Sequence, residues 1–346
     1  MSTWCVRSIP LLCLLVFSGL AQQSVPSARR ITLDVVVTDK SGKPVSGLEQ
    51  KDFKLLDNKQ PQKILSFEAV TGGAATADPP VEVILLSDEV NTAFTNVSVE
   101  RGQIQKFLAQ GGGELPRPVS LAFLTDSGIR ISDITTQDGK ALIAELDQNK
   151  NGLRSITRDQ GFYGADDRVG LSLKALQQLA AYEAPRPGRK LVIWVSPGWP
   201  LLTGPNEILT SKEQQGIFNQ IVAISDSLRR GRITLDTIDP LGTNDAGGFR
   251  TFYYEQFVKG VKKPGQAQIG NLALQAIATQ SGGRVLNSDN DVAGEIATCV
   301  ADSNAFYVLT FEGLPGDGPD EYHSLQIKLD RPGLKTYART GYYAQP

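Results

Sequence analysis

Histidine, methionine and cysteine are scarce in this chain of 346 residues, which has one His, one Met and three Cys. The single histidine, His323, falls in a segment that reads as a strand. That leaves no material for His-dependent catalytic triads or His-ligated zinc, and His323 is read as structural. Cys5 and Cys13 lie within the first 21 residues, so loss of that segment leaves Cys299 alone and no internal disulfide. Cys299 follows Val292 and Ile296 at helical spacing, which predicts a buried thiol on a helix. Basic clusters are also missing. Nothing longer than "ARR" or "LRRGR" occurs and the formal net charge is −2, a balance that gives nucleic-acid binding no support. There is no Gly-x-Ser-x-Gly, no internal repeat and no low-complexity tract. After Phe17 no run is apolar enough to cross a bilayer.

The one strongly apolar run comes first. Arg7 precedes Ile9 to Phe17, and Ser18-Gly19-Leu20-Ala21 follows. Charge, short apolar core and small-residue exit make a secretory signal peptide over 1–21, with cleavage after Ala21 and Gln22 as the new N-terminus. The expected location is therefore exported, periplasmic or extracellular.

Two kinds of segment alternate along the rest. From 31 to 70 the pattern is strand-like: "ITLDVVVTD", then "FKLLD" and "KILSFEAV" around the turn "NKQPQ". "TGGAATADPP", 71–80, reads as a linker. A βα alternation follows over 81–303. "VEVILLSD" is apolar throughout, as for a strand buried on both faces. A helix carries Ile104, Phe107 and Leu108 on one face. "VSLAFLTDSGIRISDI" reads as two strands joined by a tight turn, so one of the pair runs antiparallel. A helix through Val169, Leu173, Leu176 and Ala180, the strand "KLVIWVS", a long helix ending in Arg229-Arg230-Gly231, the strands "ITLDTID" and "RVLN", and a helix from about Asp291 to Ala301 complete the unit. Strands return over 304–343 in "FYVLTFEG", "YHSLQIKLD" and "LKTYARTGYY". The economical fold is α/β: a doubly wound, mostly parallel six-stranded sheet inserted in a β-sandwich-like domain built from both chain ends.

A doubly wound sheet opens its crevice where strand order reverses, here at Asp88 and Ser196. "SDEVNTAF" contains no glycine, which argues against a dinucleotide or a P-loop nucleotide. Asp88, followed by Asn91 and Thr92, leaves two readings: a cation site, or a turn in which Asp88 and Asn91 cap the next helix. Elsewhere, "GADDR" and "NSDNDVAGE" read as helix-start clusters, the second lacking the terminal Glu of a calcium loop. The aromatics of "GFYGADD" and "FRTFYYEQF" lie in long-loop segments and read as packing residues or as part of a binding surface.

The order of elements resembles the von Willebrand factor type A fold, whose adhesion site sets Asp-x-Ser-x-Ser after the first strand, a Thr on a second loop and Asp-Gly after the fourth strand. Asp88 matches the first Asp, Val90 stands at the first Ser position and Thr92 at the second, and Ser196-Pro197-Gly198 brings no carboxylate. Thr157 and Asp167 both remain open for the second loop. "VVVTDKSGKPVSGLEQKDFKLLDNKQPQKILSFE", "DEVNT", "PGRKLVIWVSPGWP" and the closing "YVLTF…IKLDRPGLKTYARTGYY" together resemble the von Willebrand factor A-related domain family of acidobacterial exported proteins. The resemblance implies the fold, export and a metal-ion-dependent adhesion site that is commonly incomplete, and it supplies no reaction. The leading reading of the residues is a non-catalytic module that binds a protein or peptide at the cell envelope through Asp88, Asn91, Thr92 and Ser196. No cofactor is expected, Mg²⁺ or Mn²⁺ at Asp88 and Thr92 being the alternative. Other readings are a structural envelope component, or a hydrolase working through Asp88, Asp166 and Asp167.

Overall fold

A computed structural model of the chain describes residues 29–71, 81–149, 161–199, 209–241, 253–287 and 290–346. The expected leader, residues 72–80 of the expected linker and Thr157 lie outside the described residues.

The central sheet is built from β5 (Glu82–Asp88), β6 (Glu114–Thr125), β7 (Gly128–Asp138), β8 (Lys190–Val195), β9 (Ile233–Ile238) and β10 (Val285–Leu286), in the order β10-β9-β8-β5-β6-β7. All neighbours are parallel except β6 and β7, whose hairpin closes with Thr125 opposite Gly128. Strand parity decides which helices each face receives. Ile84, Leu86, Val192, Trp194 and Leu235 pack against α3 (Gly161–Glu183), α4 (Ser211–Arg230) and α5 (Leu274–Ser281). Val83, Leu85, Leu191, Ile193 and Val195 pack against α1 (Phe94–Leu108), α2 (Gly139–Gln148) and α6 (Val292–Ala301). Both faces are covered, which is why β5 and β8 read as unbroken apolar runs.

The two ends of the chain meet in a pair of four-stranded sheets. One has the order β13-β1-β11-β4 and the other β14-β12-β2-β3. Their strands are β1 (Arg30–Thr38), β2 (Phe53–Asp57), β3 (Gln60–Gln62), β4 (Ile64–Thr71), β11 (Ala305–Glu312), β12 (Glu321–Leu329), β13 (Lys335–Tyr337) and β14 (Gly341–Ala344). Residue 31 pairs with residue 311, and residue 55 with residue 327. Alternate residues of β1, namely Ile31, Leu33, Val35 and Val37, enter a shared core with Phe53, Leu55, Tyr307, Leu309, Phe311 and Tyr342. The same strands reach toward the central sheet. Val36, Val70 and Phe306 join the apolar cluster under α1 and α6, and Tyr322 and Tyr343 join that under α3 and α4.

Several local expectations need correction. The segment "NKQPQ" is a two-residue turn at Asn58 and Lys59 (φ 47° and 68°) followed by β3, while β4 pairs with β11 in the other sheet. Two positive φ values in succession make the type I′ geometry that matches strand twist. "LKTYARTGYY" is not one strand: β13 pairs with β1 and β14 with β12. Helix α2 was not anticipated. Its cap is legible in retrospect, since Asp138 accepts from the amides of Lys140 and Ala141. At the end of α4 the left-handed residue is Arg232 (φ 50°), while Gly231 keeps φ −74°.

His323 lies in β12, buried, with Nδ1 3.0 Å from Asp57 Oδ1, and the Tyr342 hydroxyl donates to Asp57 Oδ2 at 2.6 Å. Cys299 is fully buried in α6, and burial pushes its thiol well above the usual range, with Asp236 and Asp302 adding to the shift. Since the thiolate is the reactive form, a thiol reagent is expected to label native protein slowly and unfolded protein at once. Rapid stoichiometric labelling of the native state would contradict this placement.

Candidate functional site

The crevice lies at the C-terminal ends of β5 and β8. Parity again sets the chemistry, because Ser87 faces α1 and Asp88 faces α3. Asp88 is fully buried, and each of its carboxylate oxygens accepts two N–H bonds. Oδ1 takes the backbone amides of Val90 (3.0 Å) and Asn91 (2.9 Å). Oδ2 takes Asn91 Nδ2 (2.8 Å) and the Trp194 indole N–H (2.9 Å). Asn91 Nδ2 also donates to Ser172 Oγ at 2.9 Å, and that hydroxyl donates to the Arg168 carbonyl at 2.7 Å. The chain of donors fixes the orientation of the Asn91 amide, and it leaves Asn91 Oδ1 buried without a partner.

On the other face sits Glu100, a residue of α1 that is fully buried. Its Oε1 accepts from Ser87 Oγ (2.7 Å) and the Asp88 amide (3.1 Å), and its Oε2 accepts from Thr92 Oγ1 (2.7 Å). Burial pushes the Glu100 carboxyl up to about 8, with the charge of Asp88 contributing, against the lowering effect of the hydroxyl bonds. Ser196, buried at the end of β8, accepts the Gly198 amide at 3.0 Å. Gly198 has φ +83°, and a Cβ there would sit 2.7 Å from the Gln275 amide nitrogen, which itself donates to the Pro197 carbonyl. The left-handed φ is what favours glycine here, since the Gln275 side chain could move aside.

These positions correct the sequence reading. Asp88 and Asn91 do not cap α1, whose N-cap is Ala93 with no side-chain bond. Asp88 instead closes the turn from β5 and ties it to β8. Thr92 turns to Glu100 rather than toward Asp88, and Val90 is buried in the core. Asp166 and Asp167 are exposed on α3, whereas Asp88 is buried. Sequence reasoning missed Glu100, Trp194 and Ser172. Glu100 carried a signal: it lies on the helical stripe of Val97, Ile104 and Phe107, where an acid is out of place.

Among the described residues, those at Asp88 do not fit a hard divalent cation. A carboxylate has about four acceptor sites, and Asp88 has filled four with N–H donors. A cation would have to displace the indole and the turn amides, and those donors would then be buried and unpaired.

No family model matches the chain, and no curated protein matches it. Among solved structures it is similar to the pilus adhesin SpaC from Lactobacillus rhamnosus GG in its open conformation. That match has a TM-score of 0.39 and 9% identity over 87% of this chain and 49% of the adhesin. A second form of SpaC gives a TM-score of 0.37 at 9% identity, with the same coverage of 87% and 49%. The SpRpn10 VWA domain gives 0.31 at 9% identity over 63% of this chain and 93% of that domain. The chain thus spans about half the length of the adhesin.

Two outcomes test the network. Asp88→Ala is expected to cost about 3 kcal/mol or more, because the Trp194 indole and the Val90 amide each lose their acceptor at about 1–3 kcal/mol. A loss below about 1 kcal/mol in urea unfolding would mean that water replaces the carboxylate. Glu100 makes stability fall as pH rises. The unfolded carboxyl ionises near 4.5, while the folded one holds its proton to about 8. Between those values the folded state binds more protons, and each pH unit removes up to about 1.4 kcal/mol. Glu100→Gln is expected to flatten the fall in melting temperature between those pH values; superimposable curves for the two proteins would refute the assignment.

Proposed function

We propose that the chain is an exported, non-catalytic binding module of von Willebrand factor A-like architecture, holding a protein or peptide partner at the cell envelope without a divalent cation. In this reading 81–303 is the binding domain, and the sandwich of 31–70 and 304–343 is its support. The observation that carries it is the saturated Asp88 carboxylate. The strand order and the acid at the reversal point are retained, while the acceptors that a metal needs are occupied from within by Trp194, Asn91 and the turn. Asp88, Asn91, Thr92 and Ser196 then act by shaping the loops that meet the partner. The hydrolase reading loses its constellation, because Asp166 and Asp167 are exposed and Asp88 is fully buried. Among the described residues no helix is long and apolar enough to cross a membrane.

Thermal unfolding with saturating Mg²⁺, Mn²⁺ or Ca²⁺, and with EDTA, tests the metal-independent part. A ligand at about 100 times its dissociation constant adds roughly 2.7 kcal/mol. Midpoints unchanged in all four conditions are expected, as is partner binding by envelope fractions that persists in EDTA. A cation-dependent rise abolished in Asp88→Asn would overturn the proposal. Export is tested by N-terminal sequencing of the envelope fraction, which is expected to begin at Gln22; a chain retained in the cytoplasm with its leader would contradict it.

A further inference from the structure

Strands β10 and β13 are each the terminal strand of their sheet. At one end the segments beside them touch. The Thr340 amide donates to the Gln280 carbonyl at 3.2 Å, and Gly282, at φ +93°, sits so close that a Cβ would lie 2.5 Å from the Ala338 carbonyl carbon. Beyond that junction the edges part around a cavity of about 290 Å³, whose walls include Gly283, Arg284, Val285, Lys335, Thr336 and Tyr337. This cleft is three strands from Asp88 along the sheet order β5-β8-β9-β10.

Backbone groups from both sheets point into it. The Thr237 and Asp239 amides donate to the carbonyls of Arg284 and Leu286, so Val285 between them turns its N–H and C=O away from β9. On the opposite wall, the Val45 amide donates to the Val37 carbonyl, which faces Val37 away from β13. Its register partner Thr336 therefore presents its own N–H and C=O outward. Two open edges bordering one gap form a template for an added strand.

Charge selects the occupant. The Tyr337 ring carries the Arg284 guanidinium 4.5 Å and the Lys335 ammonium 5.5 Å from its centroid. Arg284 is neutralised by a fork to Asp302 at 2.6 and 2.7 Å. Lys335 is exposed and forms no ion pair among the described residues. Lys335 is thus a positive charge on the cleft wall with no acidic partner among the described residues. A volume equal to about ten waters at roughly 30 Å³ each admits a short extended segment rather than a folded domain.

We propose that the cleft between β10 and β13 binds an extended peptide bearing an acidic side chain, its backbone pairing with Val285 and Thr336 and its carboxylate meeting Lys335. The site goes beyond the crevice at Asp88 and needs nothing from it. The test is an amide-resonance titration of the mature protein with a pool of capped hexapeptides that alternate Glu with mixed residues. The Val285 and Thr336 amides are expected to shift together and saturably. A matching pool with Lys for Glu is expected to bind at least about tenfold more weakly, about 1.4 kcal/mol. Lys335→Glu, an exposed change that spares the core, is expected to reverse the preference, and peptides N-methylated at alternate amides are expected to lose binding. Unmoved Val285 and Thr336 resonances at millimolar peptide would overturn the proposal. So would equal binding of the two pools, or shifts that track protein concentration without peptide, which would assign the cleft to a second copy.

Discussion

A single buried carboxylate, that of Asp88, meets four N–H groups drawn from the turn that follows it, from Asn91 and from a neighbouring strand, and the end of the sheet is organised around that convergence. A buried polar group costs little only when its hydrogen-bonding sites are filled. The Trp194 bond is the one that reaches across strands, fixing β5 against β8 at the point where strand order reverses. Because Ser87 faces the opposite way, the same two residues address both helix layers, Asp88 toward α3 and Ser87 toward Glu100 of α1. Burial of Glu100 close to Asp88 is tolerable because its carboxyl holds a proton to about 8. One carboxylate is saturated with N–H donors, and burial holds the proton on its neighbour Glu100 up to about 8.

The flanking sheets answer a different constraint. Each contains strands from both ends of the chain, so neither half of the sandwich has a complete face without the other. Their tyrosines do two jobs. Tyr307 and Tyr342 fill the sandwich core, while Tyr322 and Tyr343 pack with the helices of the central sheet. Gly260 shows how tight that junction is, since a Cβ there would fall 1.9 Å from the Tyr322 ring. Such packing joins the two parts over a broad apolar contact and leaves β10 and β13 as open edges bordering a common cleft.

Much of the architecture was legible in residue pattern. Unbroken apolar runs gave β5 and β8, "ITLDTID" gave β9, and the alternation of Ile31, Leu33, Val35 and Val37 gave a strand with one sandwich-facing side. The helical stripe ending at Cys299 placed the thiol. Short elements escaped: β3 is three residues inside what reads as a turn, and β13 and β14 separate only because their partners lie in different sheets, a tertiary fact that no local pattern carries. At the site, Asp88 and Ser196 followed from topology. The bond from Trp194, 106 residues away, did not, because an indole in an apolar strand reads as packing alone. Mistaking Asp88 for a helix cap came from placing the helix start too early; α1 begins at Phe94, and the intervening residues form the turn that Asp88 closes.

The claim on which this account rests is that Trp194 and the turn amides occupy the acceptors a cation would use. Manganese provides the most direct measurement, because a bound Mn²⁺ broadens resonances near it. The indole N–H of Trp194 is predicted to exchange slowly with solvent and to stay sharp as Mn²⁺ is added past stoichiometry. Selective loss of that resonance at one equivalent, reversed by EDTA, would place a metal beside Asp88 and contradict the account.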